Sequence, residues 1–502
     1  MEPIIAAAEV AASTRWPFVV LLVSVTFVIV AITKLRLHPF FALIFAAFLA
    51  GFLSEPFSGA VLGKLSAGAR ASAEGNQWLA TVELTMVEFG NTAAAISISI
   101  GLAAIIGMAL MESGAADKVV RRFLAFFGEK RAGAALLWST YFLSIPIFFD
   151  TMFMLMVPLA RALRLRTGKD YTLYLLCICC GGVITHSLTV PHPGPLAMVD
   201  NLKLDVGMSL IWGIVAGILP CGVGYYVAKW INRRVDIPLR ETRGASLADL
   251  EGISRKPETE LPSFFWAILP VILPILLISV SSVFVLIRGS YPGVVAAMGG
   301  PEAFAAIHRW VTFIGNKNIA LFIGAFLALG VLARQRGMGF KKIESLIGPP
   351  IETAGVIILI TSAGGAFGLM LRNAGVGDAI KAAAGGYDIN LLVLCWAVAA
   401  VIRIAQGSAT VAMLTTSAMV LPMVDPAAGA VLPYHTVYVF LAVGFGAFAC
   451  SWMNDSGFWV VNRLSGMTEV ETLRSWTVML TVVSVAGMLM TVLMAKLLPL
   501  AG

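Results

Sequence analysis

Charged residues are scarce in this sequence of 502 residues. Only 13% are Asp, Glu, Lys or Arg, whereas 59% are hydrophobic and the mean hydropathy is +0.89. A soluble domain has about 25% charged residues, so the composition excludes that class and indicates an all-α polytopic membrane protein. The net charge of +7 does not indicate nucleic acid as a partner, because the basic residues fall in short loops between apolar runs. The expected surroundings are the lipid bilayer.

Cysteine and histidine are also few. The six cysteines lie within or at the edge of apolar segments, which favours packing over a disulfide framework or a metal site. The five histidines include no His-Glu-x-x-His pair, the arrangement expected of a membrane-embedded metallohydrolase. The hydrophilic stretch 232–262 is too short for a soluble sensor domain. We therefore expect neither an enzyme nor a bound cofactor or metal.

Two apolar runs are interrupted in the middle. The arms of the first, 132–145 and 151–163, are each about 14 residues long and reach about 20 Å, whereas a bilayer core is about 30 Å thick. We predict a re-entrant hairpin near 132–163, with Pro146 and Asp150 at its tip. The second interruption begins at Arg403 and predicts another hairpin near 391–424.

The order of apolar runs predicts two inverted repeats. About five spanning helices and one hairpin fall in a first half, 1–231, and the same set falls in a second half, 263–502, after a cytoplasmic linker, 232–262. Because five is odd, the second half lies upside down relative to the first, and cytoplasmic basic loops place the N-terminus outside. This is the architecture of many secondary transporters. The apolar outer spans make a homodimer a reasonable expectation.

Arg403 is the most informative single residue. A guanidinium stays charged, so in mid-membrane it requires an anion. Gly407 and Ser408 follow it and suit the start of a new helix, whose free N–H groups also favour an anion. We interpret this stretch, with Thr410, as half of a carboxylate site. The alternative is a structural pair, and a permanent internal acid facing Arg403 would remove the foundation of the proposed anion site.

Four motifs occur in order over most of the chain from about residue 90. They are Ile145–Asp150, Thr185–His186 with Pro191–Pro195, Arg403–Ala412 and Asn454–Trp459. In these motifs the sequence resembles the gluconate permease family of proton-coupled sugar-acid symporters, within the ion transporter superfamily. The resemblance implies uptake of gluconate or a related aldonate with a proton across the cytoplasmic (inner) membrane. Two positions depart from the family: Ser144 replaces its usual Gly, and Trp452 and Met453 stand where a His is common.

The residue chemistry and the resemblance together give the candidate site. The candidates for substrate binding are Thr185, His186, His192, Arg403, Gly407, Ser408, Thr410 and Asn454. The candidates for proton coupling are Asp150 and Asp455. Packing or turn formation is the alternative role for the histidines, and helix capping or a turn is the alternative for the two aspartates. A sodium-coupled carboxylate symporter would share this architecture and is the alternative function.

Overall fold

The computed structural model describes residues 2–240, 257–290, 292–298, 300–379, 390–426, 430–453 and 455–500. The helices up to residue 240 are α1 (Glu2–Thr33), α2 (Pro39–Leu53), α3 (Gly59–Leu62), α4 (Ala67–Ala73), α5 (Gln77–Glu112), α6 (Ala115–Phe127), α7 (Ala132–Leu143), α8 (Phe149–Thr167), α9 (Tyr171–Leu188), α10 (Pro193–Asn201) and α11 (Val206–Asn232). Those after residue 257 are α12 (Phe264–Ser290), α13 (Pro292–Ala297), α14 (Gly300–Ile314), α15 (Lys317–Arg336), α16 (Phe340–Asn373), α17 (Leu391–Gln406), α18 (Ala409–Val424), α19 (Val437–Gly446), α20 (Ser456–Ser465), α21 (Glu469–Thr472) and α22 (Val478–Leu497).

Seven helical segments in these ranges are long and apolar enough to cross a membrane. They are Gln77–Glu112, Tyr171–Asn201, Val206–Asn232, Phe264–Val285, Lys317–Arg336, Lys341–Asn373 and Glu469–Leu497. No strand occurs in the part of the chain that is described. The predicted class, an all-α multi-pass membrane protein, is confirmed.

Two of the predicted spans, at the apolar runs 39–53 and 434–453, contain only short helices. Helix α2 has 15 residues, the same length as its apolar run. The span predicted at 434–453 contains α19, which has only 10 residues and reaches about 15 Å. The chain then runs without regular helix through 447–453 before α20 begins at Ser456. This region is a broken helix, like α9 and α10, which are separated at residues 189–192.

Helix α5 begins at Gln77, whereas the apolar run that predicts this span begins only at position 91. Thr81, Thr85 and Glu88 in this first part are buried, and each has a partner. Thr81 Oγ1 donates to the Gln77 carbonyl (2.9 Å), and Thr85 Oγ1 donates to the Thr81 carbonyl (2.7 Å). The buried Glu88 carboxylate pairs with Lys64 Nζ at 2.6 Å. Because these groups find partners, polarity alone did not end the helix.

The helix breaks expected at 146 and 407 are both present. Helices α7 and α8 are separated at residues 144–148, and both pack on α9, the most buried of the candidate spans. Gly181 permits this packing, since a Cβ there would overlap the Leu137 carbonyl oxygen. Helices α17 and α18 are separated at Gly407 and Ser408, and α18 packs on α10 and α16. The two breaks are thus held by helices of the core.

Helix α11 runs between two ends of the molecule. The termini of different helices lie at each end. At one end, Asn232 Nδ2 donates to the Asp170 carboxylate (2.8 Å) just after α8. At the other end, Asp205 caps α11, and the nearby Lys203 pairs with Asp425 (2.7 Å) just after α18. We call these the Asn232 end and the Asp205 end.

Candidate functional site

A cavity of about 260 Å³ lies where the two helix breaks meet. It is lined by the start of α8, by α9, α10 and α16, by the end of α17 and the start of α18, and by the start of α20. Its polar lining residues are Asp150, His186, Ser187, Thr361, Arg403, Ser408, Thr410, Asp455 and Ser456. Ligand sites usually measure about 300–1,000 Å³, so this cavity suits a small solute.

Arg403 forms an ion pair with Asp455 beside this cavity. The Arg403 and Asp455 side chains are only 3% and 12% exposed, and one guanidinium Nη donates to the Asp455 carboxylate. The other Nη donates to the Gly407 carbonyl across the helix break. The burial of Arg403 is therefore explained by an internal acid, and burial alone no longer indicates a visiting anion. The case for an anion site must come from the rest of the cavity.

Asp455 is held by further donors besides Arg403. Ser451 Oγ donates to its Oδ2, and the Gly457 N–H donates to its Oδ1 (2.9 Å) at the start of α20. Trp476 Nε1 in turn donates to Ser451 Oγ (2.8 Å). Trp476 lies in a π-helical turn, Leu473–Thr477, and such turns are frequent at functional sites. These hydrogen bonds from Ser451 and Gly457, with Trp476 bound to Ser451, fix the position of the Asp455 carboxylate.

The start of α18 lines the cavity. Gly407 takes a left-handed conformation (φ 87°) that ends α17, and Ser408 caps α18 by accepting from the Val411 N–H (3.3 Å). Ser408 and Thr410 both line the cavity. The N-terminus of a helix favours an anion because of its unpaired N–H groups and its dipole. Arg403 adds positive charge at the same place.

The two predicted histidines have different positions. His186 lines the cavity, and its ring lies 4.6 Å from that of His192 between centroids. His192 is buried, and its Nδ1 and Nε2 face the carbonyl oxygens of Thr189 (3.1 Å) and Ile147 (3.3 Å). His192 therefore joins the break between α9 and α10 to the break between α7 and α8.

Asp150 occupies the first turn of α8 and lines the cavity with an exposed side chain. Within the described ranges no hydrogen bond or ion pair is seen for its carboxylate, and it does not cap the helix. It also experiences electrostatic repulsion from Asp455. Asp150 is therefore the available acid of the cavity, whereas Asp455 is occupied by its donors.

Three buried polar atoms of the lining residues lack partners in the part of the chain that the structure describes. They are Arg403 Nε, His186 Nδ1 and Ser187 Oγ. Buried polar groups are nearly always hydrogen-bonded, so each such atom requires an explanation. A ligand that carries several oxygen atoms would supply the missing partners.

The structure brings together only part of the predicted site. Asp150, His186, Arg403, Ser408, Thr410 and Asp455 line the cavity. Thr185, His192 and Gly407 are not among its lining residues: Thr185 Oγ1 donates to the Tyr141 carbonyl (2.9 Å), and the other two make the contacts given above. Asn454 lies outside the described residues. Among the residues that are described, no three His, Cys, Asp or Glu side chains are grouped to hold a metal ion.

Ser187, Ser451 and Trp476 were not among the residues predicted from the sequence. Ser187 follows His186 and Ser451 lies four residues before Asp455, so closeness to these candidates was the available signal, whereas Trp476 acts on Ser451 from 25 residues away. The two departures from the family pattern also have positions at the site. Ser144 Oγ lies within hydrogen-bond distance of the Ile147 carbonyl (3.3 Å) inside the first break, and Trp452 Nε1 donates to the Ile404 carbonyl (3.0 Å) beside Arg403.

Comparison with known proteins gives matches along nearly the whole chain. A sequence model described as GntP family permease matches residues 16–498. A gluconate permease of Pseudomonas aeruginosa is 32% identical over 480 residues, which cover 95% of this chain and 97% of that protein. The Gnt-II system L-idonate transporter of Escherichia coli is 28% identical over 474 residues, which cover 94% and 98% of the two chains.

Two solved structures share the fold. The Neisseria gonorrhoeae protein MtrF, described as representing a class of antimetabolite efflux pumps, matches with a TM-score of 0.58 and 14% identity, covering 94% of this chain and 97% of that one. The Alcanivorax borkumensis transporter YdaH matches with a TM-score of 0.52 and 13% identity, covering 92% and 98%. At such low identity the likeness concerns the fold alone.

Proposed function

The chain belongs to the GntP family of permeases, and from this premise we propose that it takes up gluconate or a related aldonate together with a proton. It is a sugar-acid transporter rather than an enzyme, as its gluconate- and idonate-transporting relatives indicate. The single observation that carries the mechanism is the cavity where the two helix breaks meet around Arg403, Asp455 and Asp150.

The substrate carboxylate binds between Arg403 and the start of α18. A guanidinium has five N–H donors, and hydrogen bonds are described for both Nη atoms, while Nε is buried without a described acceptor. Asp455 therefore orients Arg403 without using all of its donors. The first N–H groups of α18 and the Thr410 hydroxyl add donors for a carboxylate, and Ser408, which caps α18, lines the same part of the cavity.

The hydroxyl groups of the sugar acid bind at the part of the cavity that α9 lines. His186 Nδ1 and Ser187 Oγ are buried there without described partners. A neutral imidazole and a hydroxyl each match the donor and acceptor capacity of a sugar hydroxyl. Thr185, His192 and Gly407 act as positioning residues, because the first two contact backbone carbonyls and the Gly407 carbonyl accepts from the Arg403 guanidinium. Asn454 keeps its predicted role as a substrate contact.

Charge balance makes Asp150 the coupling residue. With histidine neutral, the empty cavity contains two carboxylates and one guanidinium, a net charge of −1. A bound aldonate changes this to −2, and one proton on Asp150 returns it to −1. The empty site and the loaded site then have the same net charge in the low-dielectric interior of the membrane. Asp455 is less suited to this role, since its proton would weaken the pair that orients Arg403.

The two halves have matching orders of elements, which supports the inverted repeat. In 1–231 the long helix α5 precedes the broken pair α7 and α8, the broken helix α9 and α10, and the long helix α11. In 263–502 the same order is α16, α17 with α18, α19 with α20, and α21 with α22. The linker 232–262, described only in part, connects the two halves.

The helix ends support opposite orientations for the two hairpins. The start of α7 and the end of α8 line one cavity at the Asn232 end. Helix α18 finishes at the Asp205 end, near Lys203. Helix α19 begins at the same end, since Tyr438 near its start packs on Trp212 in the first turns of α11 (6.3 Å between ring centroids). Helices α17 and α19 run parallel, since Trp396 contacts Gly446 and Ile404 contacts Trp452. We place the Asn232 end, which is rich in Lys and Arg, in the cytoplasm of a cell whose inner membrane holds the protein.

Replacing Arg403 tests the substrate site. We expect Arg403→Gln to lower uptake of labelled gluconate into proteoliposomes roughly 100-fold, because truncating a buried charge partner costs about 3 kcal/mol. The matched control is Arg122→Gln, which removes an exposed arginine of α6. Comparing Arg403→Gln with Arg403→Gln/Asp455→Asn in the same assay separates loss of the site from an unpaired buried acid. Uptake by both variants at the rate of the unmodified protein would exclude this site.

Replacing Asp150 tests the proton coupling. We expect Asp150→Asn to lose accumulation of gluconate driven by a pH gradient, because the amide does not carry a proton. Exchange of labelled for unlabelled gluconate should continue, since binding uses other groups. The control is Glu302→Gln, at an exposed acid of α14. Gradient-driven accumulation by Asp150→Asn would move the coupling role elsewhere, and accumulation driven by sodium without a pH gradient would favour the sodium-coupled alternative.

Labelling from one side of the membrane tests the orientation. We expect a membrane-impermeant maleimide to reach Val431→Cys from outside intact cells and to reach Arg122→Cys only after the cells are opened. Val431 is 93% exposed and lies between α18 and α19, and Arg122 is exposed in α6. Five native cysteines are buried and Cys450 is half-buried, so the unmodified protein is the background control. Labelling of both positions from the same side would contradict the inverted arrangement.

A further inference from the structure

A second cavity lies at the Asn232 end, apart from the transport site. Its volume is about 450 Å³, and it is enclosed by the start of α7, the residues after α8, the first turn of α9 and the last turns of α11. Four basic side chains line it, from Lys130, Lys169, Lys229 and Arg233. The transport mechanism uses none of them.

The cavity has a strong excess of positive charge. Asp170 is the single acid among its lining residues. Its carboxylate accepts from Asn232 Nδ2 (2.8 Å), and Asn232 Oδ1 in turn accepts from the Leu173 N–H (3.0 Å), so Asp170 is occupied in fixing the start of α9. In the described part of the chain no ion pair is seen for the four basic residues. The Lys229 ammonium lies over the Tyr225 ring, 4.4 Å from its centroid. The lining therefore has three more positive than negative charges.

The outer face of α11 leads into this cavity. Val215, Leu219, Tyr226 and Trp230 follow one another at helical spacing and are 45%, 56%, 71% and 51% exposed. The Arg234 guanidinium also lies over the Trp230 ring, 4.0 Å from its centroid. Exposed aromatic rings at the end of an apolar helix mark the level of the lipid headgroups. The apolar stripe thus begins at membrane depth and ends beside the basic cavity, at headgroup level.

We propose that this cavity binds the phosphate of an anionic phospholipid headgroup. The four basic groups surround the phosphate, whose negative charge is not compensated by a neutral substituent such as glycerol, and the acyl chains lie along the exposed stripe of α11. Basic pockets between membrane helices bind such headgroups in general. The lipid would contact both the start of α7 and the residues after α8, and would attach the first hairpin to α11.

Binding by the purified protein tests this proposal. In neutral detergent, native mass spectrometry should show one retained molecule of phosphatidylglycerol and little retention of phosphatidylcholine. Lys169→Gln/Arg233→Gln should weaken phosphatidylglycerol binding about tenfold, because each basic group near a charged headgroup contributes to attraction. Arg122→Gln, which removes an exposed arginine outside the cavity, should bind as the unmodified protein does.

Additional measurements separate the sources of phosphate and the effects on folding. Glycerol phosphate or inorganic phosphate that binds as tightly as phosphatidylglycerol would overturn the lipid as ligand and assign the cavity to a soluble phosphate. Unchanged phosphatidylglycerol binding by the double variant would overturn the site itself. A melting temperature of the lipid-free double variant equal to that of the unmodified protein establishes that lost binding does not reflect unfolding. None of these results depends on gluconate uptake.

Discussion

The ion pair between Arg403 and Asp455 is the interaction on which the site depends. It joins the end of α17 to the start of α20, two segments that are 52 residues apart in sequence. Removing two charges from water is costly, and a buried pair is weak evidence for stability. Its value here is positional, because it places one guanidinium at the meeting point of the two helix breaks with donors still available.

The rest of the cavity is arranged around this pair. Ser451 donates to Asp455 and itself accepts from Trp476, and the Gly407 carbonyl accepts from Arg403 at the break between α17 and α18. Asp150 approaches from the other break without such partners. We propose that the site combines one fixed acid, Asp455, which orients the cation, with a second acid, Asp150, which has no partner among the described residues and takes up the proton. In this proposal, the division of roles lets a cavity of net negative charge accept an anion.

Much of the fold was predictable from the sequence. Composition gave the class. Arm length gave the interruption at 146, because helix rise and bilayer thickness are fixed quantities, and the charge of Arg403 gave the one at 407. The break between α9 and α10 coincides with the turn considered for His192, but helix α10 itself and the break between α19 and α20 were not predicted, since an apolar run does not reveal where its backbone leaves the helix. The start of α5 was missed because its polar residues resemble those of a loop, whereas Thr81 and Thr85 donate their hydroxyl groups to carbonyls of their own helix. The demand of Arg403 for an anion was predicted, but the identity of its internal partner depends on long-range packing.

The most direct test of the account compares an acid with its uncharged counterpart. Gluconate and glucitol differ at one carbon, so their binding to the purified protein isolates the contribution of the carboxylate. We expect the unmodified protein to bind gluconate roughly 100-fold more tightly than glucitol, and Arg403→Gln to bind both with the weak affinity of glucitol. Equal glucitol binding by the two proteins would show that the cavity is intact. A preference for gluconate that survives in Arg403→Gln would contradict the claim that Arg403, oriented by Asp455, binds the carboxylate of the substrate.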